Sequence, residues 1–170
     1  MTVDQYIRDI QDFPKEGILF KDITPLLIDA IARKECLDIL VSTLRDKGIN
    51  KVIGVESRGF FFGTLLAQEL NVGFVPVRKP NKLPFDTISA SYALEYGTDT
   101  LEIHTDSIQK ADRVLIHDDV LATGGTAKAV GELVEQLGGI IVQYNFIMEL
   151  TFLSGREKLG NNEIFAAIQY

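Results

Sequence analysis

The chain has 170 residues, of which 46% are hydrophobic and 24% charged, and its formal net charge at pH 7 is -7. These values are ordinary for a globular domain with a sizeable core, and they exclude disordered, collagen-like and disulfide-stapled chains. The negative charge also argues against nonspecific binding to nucleic acid, because such binding needs clustered positive charge.

The location of the protein is indicated by what its sequence lacks. No apolar run reaches the roughly 18 residues of a membrane span, and the first ten residues are too charged for a secretory leader. The single cysteine, Cys36, fits a reducing compartment. No linker or repeat interrupts the chain. We therefore expect a cytoplasmic protein with one domain over residues 1–170 and no membrane contact.

Apolar spacing predicts the first elements in chain order. Residues 3–10 are expected to form a short amphipathic helix, residues 13–27 an ordered loop, and residues 29–47 a long helix. From residue 51 onward, short apolar runs alternate with helical patterns. The predicted strands cover residues 51–55, 72–77, 113–117, 140–148 and 164–168, the predicted helices 60–70 and 126–137, and two extended segments lie around Gly97 within 87–103.

Continuous apolar strands that alternate with helices are typical of an α/β fold, with a mostly parallel central sheet covered by helices on both faces. Ligands of such sheets bind at the carboxyl ends of the strands, near a switch in strand order. Three of the predicted strands run into polar loops there, which begin at Glu56, Arg78 and Asp118. This coincidence predicts a site at that edge of the sheet.

The segment RVLIHDDVLATGGT, residues 113–126, predicts an anion site. Its glycines allow unusual backbone angles, and the amides that open the following helix point at a bound anion with the helix dipole behind them. Phosphate is the expected occupant. The residues predicted to hold it are Ala122, Thr123, Gly124, Gly125 and Thr126.

Asp118 and Asp119 in the same segment need a different partner. Ionised carboxylates accept hydrogen bonds and repel phosphate, so they require hydroxyl groups or a metal ion. A ribose 5-phosphate satisfies both halves of the segment. Paired aspartates at a turn and a glycine connector are the ordinary interpretations of each fragment alone, but the whole arrangement favours a binding site. It has neither the lysine of a P-loop nor the glycine spacing of a dinucleotide fold.

The segment VLIHDDVLATGGT resembles the phosphoribosyl pyrophosphate motif of the type I phosphoribosyltransferase family. Four further stretches resemble its adenine-specific members: FPKEGILFKDITPLL (13–27), GVESRGFFFG (54–63), SASYALEYG (89–97) and ELTFLSGREKL (149–159). The resemblance implies transfer of 5-phosphoribosyl to adenine, which gives AMP and pyrophosphate in purine salvage. It also implies Mg²⁺, bound mainly through pyrophosphate and ribose oxygens with no direct protein ligand, a homodimer, and a small N-terminal hood formed mainly by residues 1–28.

The resemblance also implies a role for each matching residue. Asp118 and Asp119 would bind the ribose hydroxyls, and Glu95 would accept the purine proton. The residues expected to meet pyrophosphate are Glu56, Ser57, Arg58 and Gly59, together with the basic residues Arg78, Lys79 and Lys82, some of them across the dimer interface. The residues expected around adenine are Leu19, Phe20, Lys21 and Leu150, with Phe20 and Leu150 stacking on the base and the other two reading its edge through their backbones.

The chain departs from the family pattern at three positions. Members often have glycines near Asn81 and Phe85, and an aliphatic residue where His117 stands.

Two alternatives remain open at this point. The first is a phosphoribosyltransferase for a 6-oxopurine, although such bases call for a donor where adenine needs an acceptor. The second is a non-catalytic regulator that binds a phosphoribosyl ligand. Regulators of this kind usually carry a DNA-binding domain, for which 170 residues leave no room.

Overall fold

The structure, a computed structural model, describes residues 2–93 and 97–170. The residues up to Ile39 form one compact unit, and those from Leu40 onward form another. In chain order the elements are β1 (Arg8–Gln11), β2 (Leu19–Asp22), α1 (Thr24–Ile28), α2 (Ala30–Ser42), β3 (Lys51–Val55), α3 (Gly59–Leu70), β4 (Gly73–Val77), β5 (Thr87–Ala93), β6 (Thr98–His104), β7 (Arg113–Leu121), α4 (Gly125–Gln136), β8 (Ile140–Glu149) and β9 (Ile164–Gln169).

The first unit is built on an antiparallel β1–β2 pair. Arg8 Nη2 lies 2.6 Å from Asp22 Oδ2, and Lys21 Nζ lies 2.7 Å from Asp9 Oδ1. The helix expected over residues 3–10 is therefore wrong beyond its first turn: only Val3–Tyr6 is helical, as a 3-10 helix. Cross-strand charge pairing favours the extended form, because it places opposite charges face to face. The expected loop at 13–27 also contains β2 and most of α1.

The second unit contains a five-stranded sheet in the order β4-β3-β7-β8-β9. All neighbours are parallel, as the continuous apolar runs predicted. On one face, α4 side chains such as Val130 pack in the same buried cluster as Ile116 of β7. On the other face, the Phe62 ring of α3 lies 6.5 Å from the ring of His117, the next residue of β7. Successive strand residues point to opposite faces, so helices cover both sides of the sheet.

The strand order reverses at β3, which has β4 on one side and β7 on the other. The last paired residues of β3 and β7 are Gly54 and His117. Beyond these residues the two strands separate. The chain after β3 leads into α3, whereas β7 continues beside β8 as far as Leu121. This separation opens a crevice at the carboxyl edge of the sheet.

The strands β5 and β6 form a separate antiparallel hairpin, as the two extended segments around Gly97 predicted. A backbone bridge attaches it to the end of β4: the Arg78 amide donates to the Glu102 carbonyl at 3.0 Å, and the Glu102 amide donates to the Arg78 carbonyl at 2.7 Å. No helix within residues 2–93 and 97–170 is long and apolar enough to cross a membrane.

His117, the unexpected polar residue of β7, is fully buried and belongs to a polar ladder on the β7–β8 sheet. Its Nδ1–H donates to Asn145 Oδ1 at 3.0 Å, and Asn145 Nδ2 donates to Gln143 Oε1 at 3.2 Å. Gln143 Nε2 then donates to Glu163 Oε1 at 2.7 Å, which also pairs with Lys47 at the surface. The ladder supplies a partner for Nδ1 of the buried imidazole, whereas Nε2 is buried with no hydrogen-bond partner among the described residues.

This burial predicts a pH-dependent stability. Burial lowers the pKa of His117 from its ordinary 6.5 to about 4, so the fold favours the neutral ring. Its contribution is complete above pH 6.5 and is lost as the pH falls toward 4, because the unfolded chain then binds a proton that the folded chain does not. From pH 7 to pH 5 we expect this group to lower the free energy of unfolding by about 2 kcal/mol.

Urea unfolding of the wild type and of His117→Gln at both pH values measures this contribution. The comparison cancels the other titrating groups, which both proteins share. The variant should show the smaller loss between pH 7 and pH 5, and equal losses in the two proteins would contradict the assignment.

Candidate functional site

A cavity of about 310 Å³ occupies the crevice between β3 and β7. It collects residues from six places in the sequence of the second unit: residues 56–58, 79, 92, 101, 118–124 with 126–127, and 146. The residues singled out from the sequence that line it are Glu56, Ser57, Arg58, Lys79, Asp118, Asp119, Ala122, Thr123, Gly124 and Thr126. The predicted meeting of these residues at the carboxyl edge of the sheet is therefore observed.

The two carboxylates lie inside β7 and not after its end, which corrects the expected strand boundary of residue 117. Asp118 Oδ1 accepts the Asp119 amide at 2.9 Å, and Asp119 Oδ2 lies 3.0 Å from Arg58 Nε. Burial and the neighbouring Asp119 charge raise the pKa of Asp118 well above its ordinary value. Burial also raises the pKa of Asp119, against the opposing effect of the Arg58 guanidinium. The site therefore holds two acceptor groups at high electrostatic cost, which is typical of functional sites.

Gly59 allows α3 to begin directly against these carboxylates. A Cβ atom at this position would lie 2.9 Å from the His117 carbonyl oxygen and 3.0 Å from Asp118 Oδ1. Contacts this short do not occur for real Cβ atoms, so only glycine fits. The loop of residues 56–59 contains a cis peptide bond between Glu56 and Ser57.

The predicted anion loop, residues 122–126, turns at Gly124 with φ of 79° and leads into α4. Its backbone packs on that of Gly155: a Cβ atom at Gly124 would lie 2.3 Å from the Gly155 carbonyl oxygen, and one at Gly155 would lie 2.2 Å from the Ala122 carbonyl oxygen. The first amides of α4 have no partner inside the helix and so remain available to an anion. The loop is therefore held in shape by a second glycine 31 positions away, Gly155, which lies in the ELTFLSGREKL stretch but was given no role from the sequence.

The basic loop after β4 is organised by Glu56. Arg78 Nη2 and Nε donate to its carboxylate at 3.0 and 3.2 Å, and the Lys79 amide donates to it at 2.8 Å. Burial alone would raise the pKa of Glu56, but these bonds outweigh burial and lower it. Among the described residues, Lys79 is the basic side chain of this loop that lines the cavity. Lys82 is exposed and binds Arg78 through its carbonyl oxygen.

Tyr92 and Asp99 of the hairpin were not singled out from the sequence. Tyr92 lines the cavity, and its hydroxyl donates to Asp99 Oδ2 at 3.2 Å. Asp99 also forms an ion pair with Lys79. Tyr92 falls inside the SASYALEYG motif, which was a signal for it, whereas no sequence signal indicated Asp99.

The residues predicted around adenine lie partly in each unit. In the first unit, Leu19, Phe20 and Lys21 are consecutive residues of β2, and the Phe20 ring lies 5.0 Å from that of Phe13 at 69°. In the second unit, Leu150 follows β8 and its amide donates to the Leu121 carbonyl at 2.9 Å. Glu95, the predicted proton acceptor, lies outside the described residues.

The segment after Leu150 is held by a buried carboxylate that the sequence did not single out. Arg156 Nη2 and Nε donate to Glu149 Oε2 and Oε1, each at 2.7 Å, and Gln169 Nε2 donates to Oε2 at 3.2 Å. Glu149 is 3% exposed. A bidentate pair of this kind fixes geometry as well as charge, so it holds the turn that carries Gly155 against the anion loop.

Comparison with known proteins agrees with this architecture. Residues 26–144 match the family model described as a phosphoribosyl transferase domain. This match covers most of the chain and includes β3, β7, the anion loop and α4. The chain therefore belongs to the phosphoribosyltransferase family.

Full-length relatives indicate the group within this family to which the chain belongs. An adenine phosphoribosyltransferase of Flavobacterium johnsoniae is 72% identical over 170 residues, with 100% of both chains covered. The crystal structure of adenine phosphoribosyltransferase from Thermoanaerobacter pseudethanolicus superposes with a TM-score of 0.97 at 52% identity, covering 99% of this chain and 98% of that one. The Saccharomyces cerevisiae enzyme, complexed with an imino-altritol bisphosphate and adenine, gives 0.92 at 44% identity, covering 97% and 96%. Within its family the chain belongs with the adenine phosphoribosyltransferases, so the resemblance of the sequence motifs is confirmed.

Proposed function

We propose that the protein transfers a 5-phosphoribosyl group from phosphoribosyl pyrophosphate to adenine, giving AMP and pyrophosphate. The observation that carries this proposal is the cavity at the β3–β7 crevice, where the carboxyl groups of Asp118 and Asp119 lie beside a glycine-rich anion loop. Full-length membership among the adenine phosphoribosyltransferases supports the choice of base.

We assign the substrate to the site by its anionic phosphates and its ribose hydroxyl groups. The 5′-phosphate binds the amides and hydroxyls of residues 122–126, and the ribose 2′ and 3′ hydroxyls donate to Asp118 and Asp119. The loop Glu56–Gly59 and the ammonium group of Lys79 bind the pyrophosphate, with Arg78 and Lys82 contributing positive charge behind it. Binding both substrates in the correct relative orientation supplies much of the rate enhancement. It lowers the activation barrier by on the order of 7–11 kcal/mol in favourable cases.

The reaction breaks the bond between ribose C1 and pyrophosphate, and the bonding electrons leave with the pyrophosphate. Positive charge develops on the ribose ring, beside the carboxylates of Asp118 and Asp119, and negative charge develops beside Arg58 and Lys79. Adenine N9 forms the new bond to C1 and loses its proton, which Glu95 accepts in this scheme. In this scheme, exclusion of water from the cavity during the reaction suppresses hydrolysis.

The cavity suits a Mg²⁺ ion that is held mainly by the substrate. The described residues contain no cluster of three or more metal-binding side chains. Asp119 Oδ2 is buried and forms an ion pair with Arg58 at 3.0 Å, and within that part of the chain it accepts no regular hydrogen bond. Asp118 and Asp119 would hold such an ion through the ribose hydroxyls or water. When bound, it neutralises charge on the pyrophosphate.

In this proposal, residues 1–28 form a hood that binds adenine: Phe20 stacks on the base, and the backbones of Leu19 and Lys21 bind its edge. Residues 1–170 are proposed to act as a single functional domain. The homodimer that the family resemblance implies belongs to this proposal, and Phe61 (47% exposed) and Phe85 (57% exposed) are apolar side chains of the second unit that an interface would cover. The buried, unpaired Cys36 suits a cytoplasmic location.

A purine comparison tests the proposed function. The protein is incubated with phosphoribosyl pyrophosphate, Mg²⁺ and one of adenine, hypoxanthine, guanine or xanthine, and the nucleotide product is separated and measured. We expect AMP from adenine and at most traces from the other bases. Product from a 6-oxopurine would point to the other base specificity, and no product from any base would point to a non-catalytic binding protein.

A further inference from the structure

The ammonium group of Lys79 already has a charged partner in the structure. It forms an ion pair with Asp99 of the β5–β6 hairpin, and the Lys79 amide is fixed separately by Glu56 Oε2 at 2.8 Å. The backbone bridge between Arg78 and Glu102 attaches the same hairpin to the same loop. Lys79 is thus positioned by its main chain, while its side chain is held by an exchangeable partner.

Asp99 uses both of its oxygens. Oδ2 accepts from Lys79 and from the Tyr92 hydroxyl, and Oδ1 accepts the Thr100 amide at 2.9 Å. The hydrogen bond from Lys79 lowers the pKa of Asp99 most, against the opposing effect of burial, so the carboxylate is ionised at neutral pH. An ionised carboxylate with these partners presents Lys79 with the same chemistry as a phosphate oxygen.

Tyr92 links the Lys79–Asp99 ion pair to the anion loop on the other side of the cavity. The ring edge of Tyr92 lies 3.2 Å from the position of a Cβ atom at Gly125, and Tyr92 and Thr126 both line the cavity. A continuous set of contacts therefore runs from Lys79 through Asp99 and Tyr92 to Gly125 of the anion loop. It joins the two ends of the cavity that receive the two anionic groups of the proposed substrate.

We propose that Asp99 is a positioning residue that holds the Lys79 ammonium in place of a phosphate oxygen and releases it when pyrophosphate binds. This inference rests on the proposed function of the same site. In the exchange, Lys79 gives up one carboxylate oxygen and gains one phosphate oxygen, and no covalent bond changes. Asp99 keeps its bonds to Tyr92 and Thr100, so the hairpin loses only its charged contact with the loop.

The exchange makes Asp99 a competitor of pyrophosphate for Lys79. Asp99→Asn removes the charge and keeps the shape. Its single amide oxygen can accept the Thr100 amide, and its Nδ2 group then donates to the Tyr92 hydroxyl. Since partly exposed ion pairs are weak, we expect this variant to bind inorganic pyrophosphate about 3- to 10-fold more tightly than the wild type. If Asp99 served only to support the loop, the same variant would bind pyrophosphate less tightly.

Calorimetric titration with inorganic pyrophosphate at fixed Mg²⁺ measures this difference without turnover. Lys79→Met provides the second background, in which Asp99→Asn should change the affinity less than 2-fold because the competing ammonium is gone. Asp106→Asn, at an exposed aspartate, controls for the change in net charge and should bind as the wild type does.

The outcomes separate the inference from the function on which it rests. Tighter binding by Asp99→Asn that depends on Lys79 supports the exchange. Unchanged or weaker binding by that variant, with normal binding by the wild type, would overturn the exchange and leave the proposed function standing. Failure of the wild type to bind pyrophosphate would overturn both.

Discussion

Replacing Asp118 and Asp119 together by asparagine is expected to lower kcat/KM for AMP formation by about 10²- to 10⁴-fold. Each carboxylate accepts a charge-assisted hydrogen bond from a ribose hydroxyl, and such bonds contribute roughly 1.5–3 kcal/mol each. The carboxylates also lie where the ribose ring becomes positive, so amides lose the stabilisation of that charge as well. Steady-state kinetics with adenine and phosphoribosyl pyrophosphate measure the effect.

The stability of the variants separates this role from a structural one. Burial and mutual repulsion raise the pKa of Asp118 above that of an unfolded carboxyl group. Its ionisation therefore destabilises the fold increasingly as the pH rises from the unfolded pKa toward the folded one. Asp118→Asn alone should therefore unfold at the same or a higher urea concentration at pH 8 while it loses activity. Asp106→Asn is the control and should change neither property. Near-normal turnover in the double variant would remove the role of the carboxylates.

Gly155→Ala is expected to weaken binding of ribose 5-phosphate and to reduce kcat/KM by at least about 100-fold. The added Cβ atom would lie 2.2 Å from the Ala122 carbonyl oxygen and 3.1 Å from the Gly124 amide nitrogen, so the anion loop must move by about 1 Å. Displacements of that size commonly cost about 100-fold in rate. Calorimetry with ribose 5-phosphate measures the binding, and kinetics measure the rate.

Gly73→Ala is the matched control, because its new methyl group would first meet the flexible side chain of Lys51 at 3.4 Å. It should bind ribose 5-phosphate normally. If Gly155→Ala bound the ligand as tightly as this control, the shape of the anion loop would not depend on Gly155.

The sheet was predictable because its strands are buried on both faces and appear in the sequence as continuous apolar runs. Strand β3 was predicted at its observed bounds, Lys51–Val55. Strand β7 was predicted too short because Asp118 and Asp119 interrupt its apolar run. The strand continues to Leu121, since β8 pairs with it throughout and only the side facing β3 is open.

The start of the chain was harder to predict because its pairing is not local. Residues 3–10 have the apolar spacing of a helix, yet the strand Leu19–Asp22 with its charges selects the extended form for Arg8–Gln11. The anion loop and the carboxylates were found from local sequence, since their chemistry lies in consecutive residues. Gly155 and Asp99 were not, because their importance comes from contacts between backbone or side chains far apart in the chain.

A crystal structure of the protein with AMP tests the central claim most directly. The account predicts the 5′-phosphate on the amides of residues 122–126, with the 2′ and 3′ hydroxyls donating to Asp118 and Asp119. A nucleotide bound elsewhere, with this loop unoccupied by phosphate, would contradict it.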